Sequence, residues 1–218
     1  EHGCAIHERS RATGVAEGDP CRVRTEGGAV LSAGRVLVAT HLPFLDRGLF
    51  FARTHPERSY ALLARLEGRV PAGMYLSDES PAHSLRAVPT PAGERLLVGG
   101  ESHKTGQSDP RERYAALERW ARERFEVAAV EHRWATHDHL PHDNLPFVGP
   151  LGPFGGERLL TVTGLRKWGL AMGVAAAAIV ADLARENDDA WASAFDSRRL
   201  DPRRGALSFA KQNADDGL

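Results

Sequence analysis

Hydrophobic and polar positions alternate in short runs over the first forty residues. The pattern predicts strands at Ala5 to Arg9, Cys21 to Thr25, Ala29 to Ser32 and Arg35 to Thr40. A Gly27-Gly28 pair between two of these runs is a hairpin signal. The run RVLVAT, residues 35 to 40, is nearly continuous in apolar character, as expected of a strand covered on both faces, and Pro43 ends it. Further on, Ser59 to Leu66 fits a helix by propensity or a strand by position, and strand is favoured because Gly73 to Ser77, Ser84 to Val88 and Arg95 to Gly99 read as a meander.

The period then changes. Asp109 is a suitable N-cap, Pro110 fits the first helical position, and Tyr114, Leu117, Trp120 and Ala121 recur at helical spacing up to Phe125. Residues 131 to 149 carry four histidines and two prolines and read as a loop. Leu159 to Thr163 is a β-branched run that turns at Gly164 through Leu165, Arg166, Lys167 and Trp168 into a helix starting at Gly169. That helix is apolar nearly all round, which predicts burial, and its N-terminus presents unpaired amides and the positive end of the helix dipole to an electron-rich group. After Ala184 the chain is polar, with an aromatic anchor at Trp191 and Phe195 and a surface tail in the last twenty residues.

Composition changes this picture little. At 218 residues there is room for one large or two modest domains. A net charge of −1 gives no electrostatic reason to expect nucleic acid or an anionic membrane, and no apolar run reaches membrane length. Two cysteines, Cys4 and Cys21, without metal-ligand spacing point to a reduced, cytoplasmic setting. The histidine-rich loop (His132, His137, His139, His142 with Asp138 and Asp143) invites a metal, but the spacing matches no ligand motif, so no metal site is expected. Glu1 stands where a methionine would begin a chain, and a fragment of a longer protein is expected.

Six segments, GRVLVATHLP (34 to 43), RSYALLARL (58 to 66), GMYLSDESPAHSLRAVP (73 to 89), LLVGGESHKTGQ (96 to 107), WATHDHLPHDNLPFVG (134 to 149) and TGLRKWG (163 to 169), together resemble the FAD-dependent oxidoreductases of the D-amino-acid oxidase and glycine oxidase superfamily. They are most similar to the bacterial branch that often carries a C-terminal Rieske domain. The resemblance implies an α/β (α+β) architecture: a partial FAD-binding domain interleaved with a substrate domain built on a mixed, largely antiparallel sheet. It divides the chain into later FAD-domain strands (1 to 45), substrate domain (46 to 140), closing FAD-domain strand and helix (141 to 195) and tail (196 to 218).

The implied activity is oxidation of an amine or amino acid by hydride transfer to flavin. Implied cofactor-binding residues are Thr40, His41, Pro146, Gly149 and the segment Gly164, Leu165, Arg166, Lys167, Trp168, Gly169 and Leu170. Implied catalytic residues are Lys167, His103 and Lys104, and implied substrate-binding residues are Arg86, Asp138 and His139. Beside each stands a plainer structural role: a surface lysine, loop polarity, a buried ion pair for Arg86, a turn cap for Asp138.

Three departures from the family pattern shape the expectation. No GxGxxG occurs, so the unit that holds the FAD pyrophosphate is missing. No cysteine follows Cys21, so no Rieske ligands are present. Asp138 occupies the position of a carboxylate-binding arginine. FAD is therefore expected in the full-length parent and only weakly, or not at all, in this chain, with the missing N-terminal half as a partner and no turnover alone. The competing readings are a non-catalytic binding domain derived from an oxidase fold, and a metal-dependent hydrolase using the histidine loop.

Overall fold

The computed structural model describes residues 3–152 and 156–199. They form two compact units, one of residues 3–55, 139–152 and 156–199 and one of residues 56–138.

In the first unit, three strands, β1 (Ala12–Ala16), β2 (Cys21–Thr25) and β3 (Val30–Ala33), form an antiparallel meander in that order. The Gly27-Gly28 turn closes its second hairpin, with Gly28 at φ +85° and its amide donating to the Thr25 carbonyl. The strand expected at Ala5 to Arg9 is absent and the first strand starts at Ala12, because residues 3–10 are exposed and have no apolar face to bury.

β4 (Val36–Val38) runs parallel to a later strand, β11 (Leu159–Thr163), which also pairs antiparallel with β10 (Phe147–Pro150). Two threonines of β11 tie this sheet together: Thr161 Oγ1 donates to the Val38 carbonyl at 2.9 Å and Thr163 Oγ1 to the His41 carbonyl at 2.5 Å. Val38 is buried but Leu37 is 46% exposed, so β4 is covered on one face and not on both as its apolar run suggested. A one-turn helix, α1 (Phe50–Arg53), adds Phe50 to the core of Val15, Val38, Phe147, Leu151 and Leu159.

The second unit holds a five-stranded sheet of β5 (Thr54–Leu66), β6 (Met74–Leu76), β7 (Ser84–Thr90), β8 (Gly93–Lys104) and β9 (Val127–Pro141), ordered β6-β7-β8-β5-β9. Helix α2 (Pro110–Arg124) packs on β8 and starts as its sequence predicts: Asp109 Oδ1 accepts the Arg111 amide at 2.8 Å and Pro110 fills the first turn. Leu117 and Ala121 meet Tyr60, Leu62, Leu96 and Val98 in the core. The stretch from Glu131 to Pro141, expected as a loop, is the second half of β9, and only residues 142–146 loop between β9 and β10. As the outermost strand it keeps residues 131–137 exposed, so its polar side chains stay in water and its apolar period is lost.

Helix α3 (Gly169–Ala184) follows β11 and packs Ala176, Ile179 and Val180 against Val148 and Leu160. Its other side is open: Leu170 is 89% and Val174 74% exposed, so the predicted all-round burial does not occur among the described residues. A short helix α4 (Ala192–Phe195) comes next; Phe195 packs on the α3 core while Trp191 is exposed. The surface tail predicted for the last twenty residues lies outside the described residues.

Candidate functional site

The parallel pair β4 and β11 decides the geometry of the first unit. Their carboxyl ends point the same way, so Thr40 and His41 follow one strand and Gly164 to Leu170 follow the other. The crevice outside the carboxyl ends of parallel strands is where open α/β sheets bind ligands. Both connections leave their strands in unusual backbone conformations: His41, Gly164, Arg166 and Lys167 all have φ between +53° and +73°. Glycine takes that region freely, whereas the other three are held there by the surrounding structure.

Gly164 cannot be enlarged, since a Cβ would come within 2.5 Å of Pro141 Cγ. The turn is thereby pressed onto the end of β9. Leu165 and Arg166 are half-buried; Lys167, Trp168, Gly169 and Leu170 are exposed. Among the described residues no side chain caps α3, which leaves its first-turn amides without a side-chain acceptor. Gly173 has open space where a Cβ would stand. Arg166 donates from Nη1 to the Asn144 carbonyl at 3.3 Å, while its buried Nε has no partner among the described residues.

The remaining predicted residues of this unit sit as follows. Pro146 is buried, with its carbonyl accepting from Arg199 at 2.8 Å. Gly149, at φ +133°, lies against Ser197, whose Oγ is 3.3 Å from where a Cβ would be, so Ser197 already fills the space beside it. His139 is buried and meets His41 edge to face at 5.1 Å. The Thr54 hydroxyl gives its one proton to the Phe50 carbonyl, so at 3.4 Å it accepts from His139 Nδ1, which fixes the proton on that nitrogen.

The second unit carries the others. Arg86 is exposed on β7, so the buried ion pair weighed for it is not formed there; the nearby buried arginine is Arg95, whose Nε is 2.7 Å from the exposed Glu131. Asp138 is half-buried on β9. His103 and Lys104 end β8. His103 Nδ1 donates to the Lys104 carbonyl at 2.7 Å, so Nε2 is the accepting nitrogen and takes the Tyr60 hydroxyl proton at 2.9 Å. Tyr60 is 1% exposed and stacks on the same ring. Burial, followed by the neighbouring Tyr60, pushes the Tyr114 hydroxyl above its ordinary pKa.

Sequence reasoning missed Tyr60, because a tyrosine on a strand reads as core. It also missed Asp143 with Arg199 as an ion pair, and the buried His83, whose only sequence signal is its place beside SLR.

The family model described as FAD dependent oxidoreductase matches residues 1–183. The chain belongs to this family. YhfW of Bacillus subtilis, named as a Rieske 2Fe-2S iron–sulfur protein, is 30% identical over 99% of this chain and 42% of its own length. Glycine oxidase from Geobacillus kaustophilus has the same fold, with a TM-score of 0.66 at 20% identity, covering 91% of this chain and 54% of that enzyme. L-proline dehydrogenase from P. horikoshii gives 0.69 at 17% identity over 90% and 55%. The chain thus spans about half the length of the proteins it matches, and the mixed helix-and-sheet architecture is that of the glycine oxidase fold.

FAD is the cofactor of the family. The residues present fit its ring end better than its phosphates. The uncapped start of α3 and the unpartnered Arg166 Nε are donors suited to the oxygen-bearing edge of a flavin. Nothing in the sequence supplies the glycine-rich turn that cradles a pyrophosphate. No helix of the described residues is long and apolar enough to cross a membrane.

Proposed function

We propose that this chain is the flavin-ring and substrate portion of an amine or amino-acid oxidoreductase of the reduced cytoplasm, and that it does not turn over without the dinucleotide-binding unit it lacks. The observation that carries this reading is the convergence of Thr40, His41 and Gly164 to Leu170 at the carboxyl ends of two adjacent parallel strands, beside an uncapped helix. When bound, FAD supplies the hydride acceptor.

The chain's own residues then have separable roles. The α3 amides and Arg166 hold the electron-rich edge of the ring, and Trp168, Gly169 and Leu170 offer it an apolar border. Lys167 contributes a cation where negative charge develops on reduction. Thr40, His41 and Pro146 border the cofactor; Gly149, filled in by Ser197, supports the loop from behind. In the second unit Arg86 and Asp138 select the substrate's charged groups, and His103 and Lys104 contribute polar groups; in the first unit His139 has a substrate-contacting role of its own. Asp138 in place of a carboxylate-binding arginine favours a substrate with a cationic group. The relatives named as acting on glycine, proline and iminodiacetate support a small amine or amino acid as the class.

The test has two arms. Purified chain mixed with FAD is expected to show no stoichiometric flavin absorbance after gel filtration. Joined to the N-terminal segment of the Bacillus subtilis relative, it is expected to retain flavin and to reduce it when amines are added. Stoichiometric flavin on the chain alone would overturn the claim of dependence. Flavin retained without reduction by any amine or amino acid would overturn the activity.

A further inference from the structure

The second unit contains a charge cluster around a buried histidine that the oxidoreductase reading does not use. His83, 5% exposed, enters the core from the loop between β6 and β7 and stacks on Trp120 of α2, ring centroids 4.3 Å apart and 7° from parallel. The seat is made by Gly100, where a Cβ would come within 2.5 Å of the imidazole Cδ2 and 3.1 Å of Leu117. Each ring nitrogen faces a carboxylate: Nδ1 lies 2.9 Å from Glu79 Oε1 and Nε2 lies 3.3 Å from Glu101 Oε1. The second contact is close enough for charge attraction, but Nε2 has no hydrogen-bond partner among the described residues. Glu79 also accepts from Trp120 Nε1 at 3.2 Å, and Glu101 from Arg113 Nη1 of α2 at 3.2 Å.

Glu101 is not an ordinary strand residue. Pairing between β5 and β8 sets Arg58 opposite His103 and Tyr60 opposite Gly100, so Ser59 alone faces Glu101 and Ser102. That is a β-bulge, and Glu101 is its left-handed residue at φ +54°. A glutamate pays for this conformation and keeps it only where its surroundings demand it. Here the demand comes from Arg113 and His83 gripping its side chain. The bulge sets the phase of the two following residues, and so turns His103 onto Tyr60.

We propose that Glu79, His83, Glu101 and Arg113 form a charge-coupled clamp on the β8 bulge, and that His83 is a positioning residue acting on His103 through Glu101. A ring with two N–H groups attracts both carboxylates, while a ring with one leaves a lone pair against one of them in a buried site. Loss of a proton from the ring therefore weakens one arm of the clamp. Charged groups face the ring from each neighbouring element: Glu79 from its own loop, Glu101 from β8 and, through Glu101, Arg113 from α2. The predicted consequence is a pH-dependent seating of His103, whether or not flavin is bound.

The experiment is side-chain NMR on the full, isotope-labelled chain between about pH 5 and about pH 8. Ring signals of His83 and His103 are followed in the wild type, in His83→Phe, which keeps an aromatic ring over Trp120, and in Glu101→Gln, which keeps the size and removes the charge. Wild-type His103 signals are expected to shift with the same midpoint as His83, and that step is expected to vanish in both variants. If His83→Phe does not fold, Glu101→Gln alone decides. The clamp is refuted if the His103 signals show no step at the His83 midpoint, or keep that step in Glu101→Gln. Neither result depends on oxidase activity, so failure here leaves the flavin reading standing.

Discussion

The Asp143 carboxylate takes two hydrogen bonds from the Arg199 guanidinium, Nε to Oδ2 at 2.6 Å and Nη2 to Oδ1 at 3.0 Å. Arg199 also donates to the carbonyls of Leu145 and Pro146, so a single side chain near the end of the described residues fastens the loop between β9 and β10. Its guanidinium lies 4.1 Å from the Phe147 ring centroid, and Arg53 lies 4.2 Å from the same centroid. Two cations share one aromatic ring, and burial together with Arg199 draws the Arg53 pKa down.

Removing one member of this pair leaves the other charge largely buried. Arg199→Ala is expected to destabilise the chain by about 3 kcal/mol, the magnitude for breaking a buried pair. Urea unfolding at neutral pH, followed by circular dichroism, measures it. Arg199→Lys is expected to recover only part, since an ammonium cannot make the two-point contact.

The same pair sets an acid limb. Burial pushes the Asp143 carboxyl up, but hydrogen bonds from Arg199 and the Leu145 amide outweigh it, and its pKa lies below the ordinary carboxylate value. A carboxylate depressed on folding contributes stability above its unfolded pKa of about 3.9, and that contribution is lost as pH falls through the lower folded value. Stability measured from about pH 5 downward is therefore expected to fall less steeply in Asp143→Asn than in the wild type. Equal slopes would exclude the pair as a source of acid sensitivity.

Tyr60→Phe removes the proton that His103 Nε2 accepts and leaves that nitrogen without this hydrogen bond. A loss of about 1–2 kcal/mol is expected, typical of a buried polar atom left unpaired. Urea unfolding of the variant against the wild type gives the figure. Ring NMR is expected to keep the proton on His103 Nδ1, because the Lys104 carbonyl still accepts it.

Gly100→Ala would push a methyl group into the His83 ring and Leu117. The expected cost is about 2 kcal/mol from overpacking, with Trp120 fluorescence altered by a displaced imidazole. Ala at Gly173, where the space is open, is expected to be neutral or slightly stabilising through better helix propensity.

In a chain completed with the dinucleotide-binding unit, Lys167→Met is expected to lower amine-dependent turnover by about 100-fold, the low end of the range for losing a group that stabilises developing charge. Flavin content is expected to change little. Unchanged turnover with full flavin would remove Lys167 from the reaction.

Much of the fold was legible because its signals were local. Asp109-Pro110 announced α2, the glycine pair marked a hairpin, and Gly164 marked the turn between β11 and α3. The second half of β9 was not legible, since an exposed edge strand carries no apolar period and its histidines and proline imitate a loop. The open face of α3 was misread for the opposite reason: an all-apolar helix shows that a cover is needed, not which chain provides it. The candidate site was half visible. Positive-φ turns after strands could be placed from glycine, but Arg199, Tyr60 and the Glu101 bulge depend on contacts between residues far apart in sequence, which no spacing rule encodes.

Trp168 stands at the uncapped start of α3 with 62% of its surface exposed. An indole in that position emits as one in water does, and an isoalloxazine brought against it quenches that emission by stacking or energy transfer. If the flavin ring seats at this turn as proposed, Trp168 emission is expected to fall when FAD is added, and unchanged emission on a flavin-loaded chain would place the ring elsewhere. Replacing Trp168 with phenylalanine separates its signal from those of Trp120, Trp134 and Trp191, so each step of assembling the flavoprotein from its parts can be timed by fluorescence.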